Sequence, residues 1–255
     1  MMTIFQAIIL GIVEGVTEFL PISSTGHLIL TSKLFGISGQ EFTKSFEIAI
    51  QFGAILSVVF LYFKRFFSDK EIWKKVLTAF LPTAVIGFLF YKIIKGVFLS
   101  SGLIVVWALF LGGVFLILFE IWYKKRGAVS AEIDYKKSFW VGVAQSLSII
   151  PGVSRAGATI VEGLLMGIDR KKIVEFSFLL AVPTMAAATF YDLYKSAGQF
   201  SFSDFHLLAI GFVVSFIVAL ASIKWLLHFI KNHSFISFGI YRIIVALLFW
   251  AFVIK

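Results

Sequence analysis

Two stretches of this chain set carboxylates, hydroxyls, an imidazole and a guanidinium inside apolar sequence. The first runs Glu14-Gly-Val-Thr-Glu18-Phe-Leu-Pro21-Ile-Ser23-Ser24-Thr25-Gly26-His27, the second Pro151-Gly152-Val-Ser154-Arg155-Ala-Gly157-Ala-Thr159. Ionisable groups in hydrocarbon are costly and mark sites or pathways. Glu14 and Glu18 are four residues apart, so on a helix both carboxylates share one face. Pro21 stops that helix near Phe19-Leu20, and Ser23, Ser24 or Thr25 can cap the next one. Pro151-Gly152 breaks the second stretch, and Ser154 can cap its second half-helix. A helix start leaves its first amides unpaired at the positive end of the dipole, which suits an anion. Two such starts facing each other, with the planar fork of Arg155 alongside, suit a phosphate or diphosphate. Ser24 is a candidate nucleophile, and His27, three residues on, a candidate base or acid for it. Glu14 and Glu18 can activate water, orient His27 or hold a divalent cation, Mg²⁺ or Ca²⁺, through oxygen. Ser23, Thr25, Gly26, Gly152, Ser154 and Gly157 surround the same breaks and are candidate substrate contacts. Gln51, on one face with Glu47 in the next apolar run, is a further one.

The elements that position these residues follow from composition. The chain has 255 residues, 60% hydrophobic and 15% charged, against roughly 45–50% and 25% in soluble domains. It reads as an all-α polytopic membrane protein forming a single integral membrane domain over 1–255. With no cysteine, disulfides, thiolate chemistry and Cys-ligated zinc are excluded. The net charge of +9 sits in short loops between apolar runs, an orientation signal and not a nucleic-acid surface. No cleavable signal peptide is expected, because the first apolar run lacks a basic start and contains Glu14 and Glu18.

Six apolar runs meet or approach the length of a spanning helix: 43–63, 76–91, 102–123, 173–193, 205–224 and 237–254. The second is short and could be extended by the stem of Lys92. Two more regions, 3–35 and 138–167, are broken near their middles and read as re-entrant helical hairpins. Lys and Arg concentrate in the loops at 64–75, 123–137, 169–172 and 224–236, while Lys33, Lys44, the 92–101 loop, Lys195 and Lys255 carry fewer. That alternation works if neither hairpin crosses, with the basic loops cytoplasmic and both termini outside. Three crossings in each half give the halves, about 1–123 and 124–255, opposite orientations. Gly11-Ile-Val-Glu14 aligns with Gly142-Val-Ala-Gln145, and after a one-residue slip Pro21-Ile-Ser-Ser24 aligns with Pro151-Gly-Val-Ser154. Ser45-Phe-Glu-Ile matches Glu175-Phe-Ser-Phe. The pattern is an inverted-topology repeat with the hairpin tips meeting near the midplane.

Residues 14–27 and 151–159, with Glu175-Phe-Ser-Phe-Leu-Leu-Ala-Val-Pro183 and Ile240-Tyr241-Arg242, resemble the undecaprenyl-diphosphatases of the bacitracin-resistance type along essentially the whole chain. The resemblance implies hydrolysis of a C55 polyprenyl diphosphate to the monophosphate and inorganic phosphate, recycling the carrier lipid for peptidoglycan and other envelope polymers. It implies Glu14, Glu18, Ser24, His27 and Arg155 as catalytic residues, a site open to the extracytoplasmic side of the bacterial cell membrane, and a homodimer. Ala156 departs from the family pattern, where serine is common. Ser24, as nucleophile or as positioner of water, would exchange its proton with His27, and Glu14 and Glu18 would hold the cation or activate water.

Other polar residues read more plainly. Arg242, near the start of the last span, is expected to snorkel to the cytoplasmic surface. His206, His228 and His233 fall at span ends, Glu162, Glu175 and Asp192 receive no role, and Lys64-Arg65 and Lys124-Lys125-Arg126 face anionic lipid heads. A transporter or flippase of polyprenyl phosphate lipids is the alternative, because inverted repeats with broken helices are common there. The acid-phosphatase-like lipid phosphatases are disfavoured, because Ser154-Arg155 lacks their downstream His and Asp.

Overall fold

The computed structural model describes residues 2–93, 102–125, 130–196 and 205–254. The 94–101 connection, Arg126 and Lys255 lie outside the described residues, and the side chains of Lys92, Asp192 and Lys195 are likewise not described. The fold is all helical: α1 Ile4–Thr17, α2 Ser24–Leu34, α3 Glu41–Leu61, α4 Phe63–Ser68, α5 Lys70–Ile93, α6 Gly102–Tyr123, α7 Tyr135–Gln145, α8 Arg155–Leu165, α9 Arg170–Ser196, α10 Phe205–Phe229 and α11 Ile236–Phe249. Among these, α3, α5, α6, α9 and α10 contain stretches long and apolar enough to cross a membrane. The last apolar run, Ile236–Phe252, is shorter. Phe60, Phe88, Phe115, Ile217 and Phe252 are exposed, as expected where the solvent is lipid. The chain is a multi-pass membrane protein.

Two loops are more helical than the sequence suggested. The 64–75 segment holds α4 and the start of α5, and Arg170-Lys171-Lys172 form the first turn of α9. The reason is the same at both places: the carboxylates of Asp69 and Asp169 accept from the amides of Ile72 and Lys172 at 3.0 and 3.1 Å, capping the two helices.

Both broken regions are broken where proline and glycine predicted. In each, the chain returns to the end from which it set out. Phe5 on α1 meets Phe35 just past α2, with ring centroids 6.3 Å apart. Ala131, ahead of α7, pairs with Ile168 after α8, its amide donating to the Gly167 carbonyl at 2.8 Å. The end where Ala131 meets Ile168 also carries the pair Arg65–Glu175 at 3.0 Å, the bond from Tyr135 to Glu71 at 2.8 Å, and the bidentate pair Arg170–Glu120 at 2.6 and 3.0 Å. Glu120 is fully buried, a pair the sequence did not reveal. The basic loops thus gather at one end.

The helices exchange partners. The helix before each break packs on one distant in the chain: α1 on α10 and α7 on α5, while α3 pairs with α9 and α6 with α11. Small residues allow the close approach. A Cβ on Gly15 would stand 2.8 Å from the Ser215 carbonyl of α10, so α1 carries its carboxylates against a backbone that cannot yield.

One side chain joins the two breaks. Arg242 on α11 is 2% exposed, so it does not snorkel to the surface. Its guanidinium donates to the carbonyls of Pro21 (3.3 Å) in the first break, Gly152 (2.8 Å) and Val153 (2.9 Å) in the second, and Ala108 (2.9 Å) and Leu109 (3.4 Å) on α6. Five donors in a rigid fork suit five acceptors. Gly112 makes room for it, since a Cβ there would collide with the guanidinium. Replacing Arg242 with Met strands the carbonyls of Pro21, Gly152 and Val153, which lie outside the helices, at about 1–3 kcal/mol for each unsatisfied group. The Arg242→Met protein should unfold in detergent at a clearly lower temperature, and a wild-type melting point would show that this clamp does not hold the tips.

Candidate functional site

The first break begins where α1 ends. Glu18 is its C-cap residue, and α2 starts at Ser24 after an N-cap at Ser23. Ser23 has φ 71°, and its hydroxyl accepts from the Gly26 amide at 3.4 Å. The second break reproduces this: Ser154 caps α8 with φ 78° and accepts from the Gly157 amide at 3.1 Å. A non-glycine residue at positive φ costs on the order of 1–3 kcal/mol and clusters at functional sites. One continuous register pairs Ser23 with Ser154, Ser24 with Arg155 and Gly26 with Gly157, and it also pairs Glu14 with Gln145. The one-residue slip inferred from the prolines is therefore not present; the capping serines, and not Pro21 and Pro151, are the equivalent points.

This register places Ser24 and Arg155 at the first position of their helices. The amides of Ser24, Thr25, Arg155 and Ala156 stand ahead of the intrahelical ladder. Those of His27 and Ala158 begin the ladder, donating to Ser23 and Ser154 at 3.3 and 3.0 Å. The two breaks touch: the Ser154 hydroxyl donates to the Leu20 carbonyl at 3.5 Å. Gly152, at φ 99°, turns so tightly against α6 that a Cβ would lie 2.8 Å from the Val105 carbonyl oxygen and from the Cβ of Ala108. Gly26 and Gly157 have their amides taken by the capping serines, so they shape the turns instead of offering free donors. Thr25 is half-buried beside them.

Three predicted catalytic groups form one chain of contacts. The Ser24 hydroxyl donates to Glu18 Oε2 at 2.5 Å, and Glu18 Oε1 accepts from Arg155 Nη2 at 3.3 Å. Arg155 Nη1 donates to the Ser177 carbonyl of α9 at 2.9 Å, and the Ser177 hydroxyl bonds Thr159 at 2.7 Å. Arg155 Nε is buried without a partner. Glu14, one turn before Glu18 and 0% exposed, has neither carboxylate oxygen hydrogen-bonded. A buried donor and a buried carboxylate without partners are costly unless a ligand or proton completes them.

His27 joins differently. Its Nδ1 lies 2.7 Å from the Ser23 carbonyl and its Nε2 3.0 Å from the Tyr241 hydroxyl, so the expected bond to Ser24 is not formed; that hydroxyl is held by Glu18. Gln51 and Glu47 are half-buried on α3, and among the described residues no hydrogen bond ties Gln51 to Glu18, Ser24 or Arg155. The sequence missed Ser177, Tyr241 and Arg242 as parts of the site. Their only signal was membership in the third and fourth motifs.

As a cation site, the pair offers hard oxygen donors in Glu14, while both oxygens of Glu18 are engaged. No group of three or more His, Asp or Glu occurs among the described residues. Such a site fits a cation that takes one or two carboxylates and completes its shell with phosphate oxygens and water, as Mg²⁺ does.

Beside the second break lies an apolar groove of about 200 Å³ lined by Phe115, Leu147, Val153, Gly157, Val161 and Arg242, among others. Phe115 and Leu147 are exposed at its mouth.

Residues 7–248 match the family described as bacitracin resistance protein BacA. The undecaprenyl-diphosphatase of Sulfurihydrogenibium sp. (strain YO3AOP1) is 58% identical over 252 residues, covering 98% of this chain and 99% of that protein. That of Aquifex aeolicus (strain VF5) is 55% identical over 254 residues, covering 98% and 99%. That of Persephonella marina is 51% identical over 256 residues, covering 99% and 100%. With matches running over nearly the whole length, this chain belongs to the bacitracin resistance protein BacA family.

Proposed function

We propose that this protein hydrolyses undecaprenyl diphosphate to undecaprenyl phosphate and inorganic phosphate, restoring the carrier lipid for envelope polymers such as peptidoglycan and thereby conferring bacitracin resistance. Relatives named for that activity match over their whole length. The observation that carries the reading onto these residues is a buried arginine donor and a buried carboxylate, both unpartnered, flanking a serine already bonded to a second carboxylate. The comparisons give the transport alternative no support.

Arg155 and the first amides of α2 and α8 bind the terminal phosphate and stabilise the charge that grows in the transition state. Ser24 attacks the terminal phosphorus and passes its proton to Glu18. The bond from that phosphorus to the bridging oxygen breaks, and undecaprenyl phosphate leaves. Water then attacks the phosphoserine and gives a proton to His27. The serine oxygen recovers its proton from Glu18, and inorganic phosphate departs. Glu14 would hold a divalent cation, Mg²⁺ or Ca²⁺, whose charge offsets that of the phosphate oxygens. The apolar groove beside the second tip suits the lipid end of such a substrate.

The architecture we propose is six spanning helices and two re-entrant hairpins in an inverted-topology repeat, about 1–123 and 124–255, with the tips near the midplane. The chain returns at Phe5–Phe35 and Ala131–Ile168 support the hairpins. The partner exchange of α1 and α7 and the shared register of the two caps support the repeat. The clustering of basic loops supports a cytoplasmic placing of that end. We place the site's opening on the extracytoplasmic side of the cell membrane, and the protein as a homodimer.

Replacing Arg155 with Lys removes the fork and should lower turnover roughly 10²–10³-fold, the scale of a lost transition-state donor. Near-wild-type phosphate release from the variant would dismiss Arg155 as the clamp. Ser24→Ala should abolish release from the detergent-purified protein; substantial turnover would leave direct attack by water. Chelation should suppress the reaction and added Mg²⁺ or Ca²⁺ restore it, whereas indifference to chelator would remove the cation from the scheme.

A further inference from the structure

Tyr241 is the residue of α11 next to the clamp, and nothing in the proposed reaction uses it. Its ring lies parallel to that of His27, 5.5 Å between centroids and 1° between planes. Its hydroxyl is 3.0 Å from Nε2. The other ring nitrogen, Nδ1, is 2.7 Å from the Ser23 carbonyl oxygen, which can only accept. The proton of the neutral imidazole therefore sits on Nδ1, Nε2 carries the lone pair, and the Tyr241 hydroxyl is the donor to it. Ser23 is the strained cap of α2, so the tautomer is set by the same turn that presents Ser24.

We propose that Tyr241 is a positioning residue: stacked on His27 and donating to Nε2, it holds the imidazole in one tautomer with its basic nitrogen turned toward α11. The assignment rests on the diphosphatase reading for what His27 does, and on the geometry alone for how His27 is held. It explains why the imidazole is not bonded to Ser24, whose hydroxyl Glu18 already engages. His27 is thereby kept as a base separate from Ser24, and Nε2 takes the proton of the second-step water once the Tyr241 hydroxyl gives up that lone pair. Its ring is fixed at both nitrogens, as a histidine that must accept at a defined atom requires. Because α11 also carries Arg242, one helix sets both the approach of the two tips and the orientation of the imidazole.

The test compares Tyr241→Phe, His27→Ala and the double variant, purified in detergent, for phosphate release from undecaprenyl diphosphate. Phenylalanine keeps the stacked ring and removes only the hydroxyl. Turnover of Tyr241→Phe should fall about tenfold, a fraction of the roughly 10²–10⁴ that positioned acid–base catalysis supplies. Its KM should stay within about twofold, since the interaction is not one with bound substrate. Added to His27→Ala, the tyrosine change should cost nothing further. In ¹⁵N spectra, His27 of the wild type should show a pyrrole-like Nδ1 and a pyridine-like Nε2, and Tyr241→Phe should mix the tautomers. Wild-type turnover in Tyr241→Phe, or an equal loss with and without His27, would overturn the proposal. Should the wild-type protein release no phosphate, the diphosphatase reading falls, and unchanged histidine shifts in Tyr241→Phe would overturn the pairing independently.

Discussion

The site depends on a buried guanidinium that has no carboxylate to pair with. Among the described residues, Arg242 forms no ion pair; five backbone carbonyls from three separate segments face it instead. A helix broken in an apolar setting frees carbonyls that neither water nor the helix can satisfy. Two broken helices brought together double that difficulty, and one planar cation answers three of the freed carbonyls, Pro21, Gly152 and Val153, while Ala108 and Leu109 tie it to the intact α6. The clamp thus makes the meeting of the tips favourable in the same act by which it fills their empty acceptors. Ser24, Glu18 and Arg155 reach one another only because those tips meet.

The two breaks share a backbone and differ in chemistry. Both have a capping serine at positive φ and a glycine amide bonded to it. Their first arms diverge at Glu14 and Gln145. Gln145 is buried, with its amide nitrogen donating to Thr83 at 2.8 Å and Thr184 at 3.2 Å and its Oε1 left without a partner, so that side of the frame is neutral and only half satisfied. Glu14 occupies the equivalent place before the first break, with the Glu18 carboxyl beside it and neither oxygen bonded to a donor. A structural role would favour the glutamine solution in both. A buried carboxyl set beside a second one is a place that a proton or an arriving cation completes.

Much of this was legible in the residues. The breaks at Pro21 and Pro151-Gly152, the cap at Ser154, the shared face of Glu14 and Glu18 and the placing of Arg155 beside them follow from backbone chemistry and the cost of charge in hydrocarbon. What was not legible depended on long-range packing. Arg242 sits near a helix start, where snorkelling is the ordinary outcome, and only the corridor at Gly112 shows that it turns inward. Asp69 and Asp169 as caps could have been found, since each precedes an apolar-periodic run. The pairing of Ser24 with Glu18 could not. Spacing along α2 favoured His27, whereas the turn between α1 and α2 folds the carboxylate back onto the serine. Prolines misled the alignment of the halves because each lies at a different point of its turn.

The contact between Glu18 and Arg155 has a consequence for how the proposed reaction starts. At 3.3 Å it is longer than the roughly 2.7–2.9 Å of a strong charge-assisted bond, and Arg155 keeps Nε unused. A phosphate offers the fork two oxygens at once and more negative charge than one carboxylate, so it competes well for the guanidinium. As Arg155 turns to the phosphate, Glu18 loses the cation beside it and keeps only the Ser24 hydroxyl at 2.5 Å. The carboxylate is then left facing the proton it is to receive. Substrate binding and activation of the nucleophile become one event, and a headgroup with too little charge to displace Glu18 leaves the serine at rest.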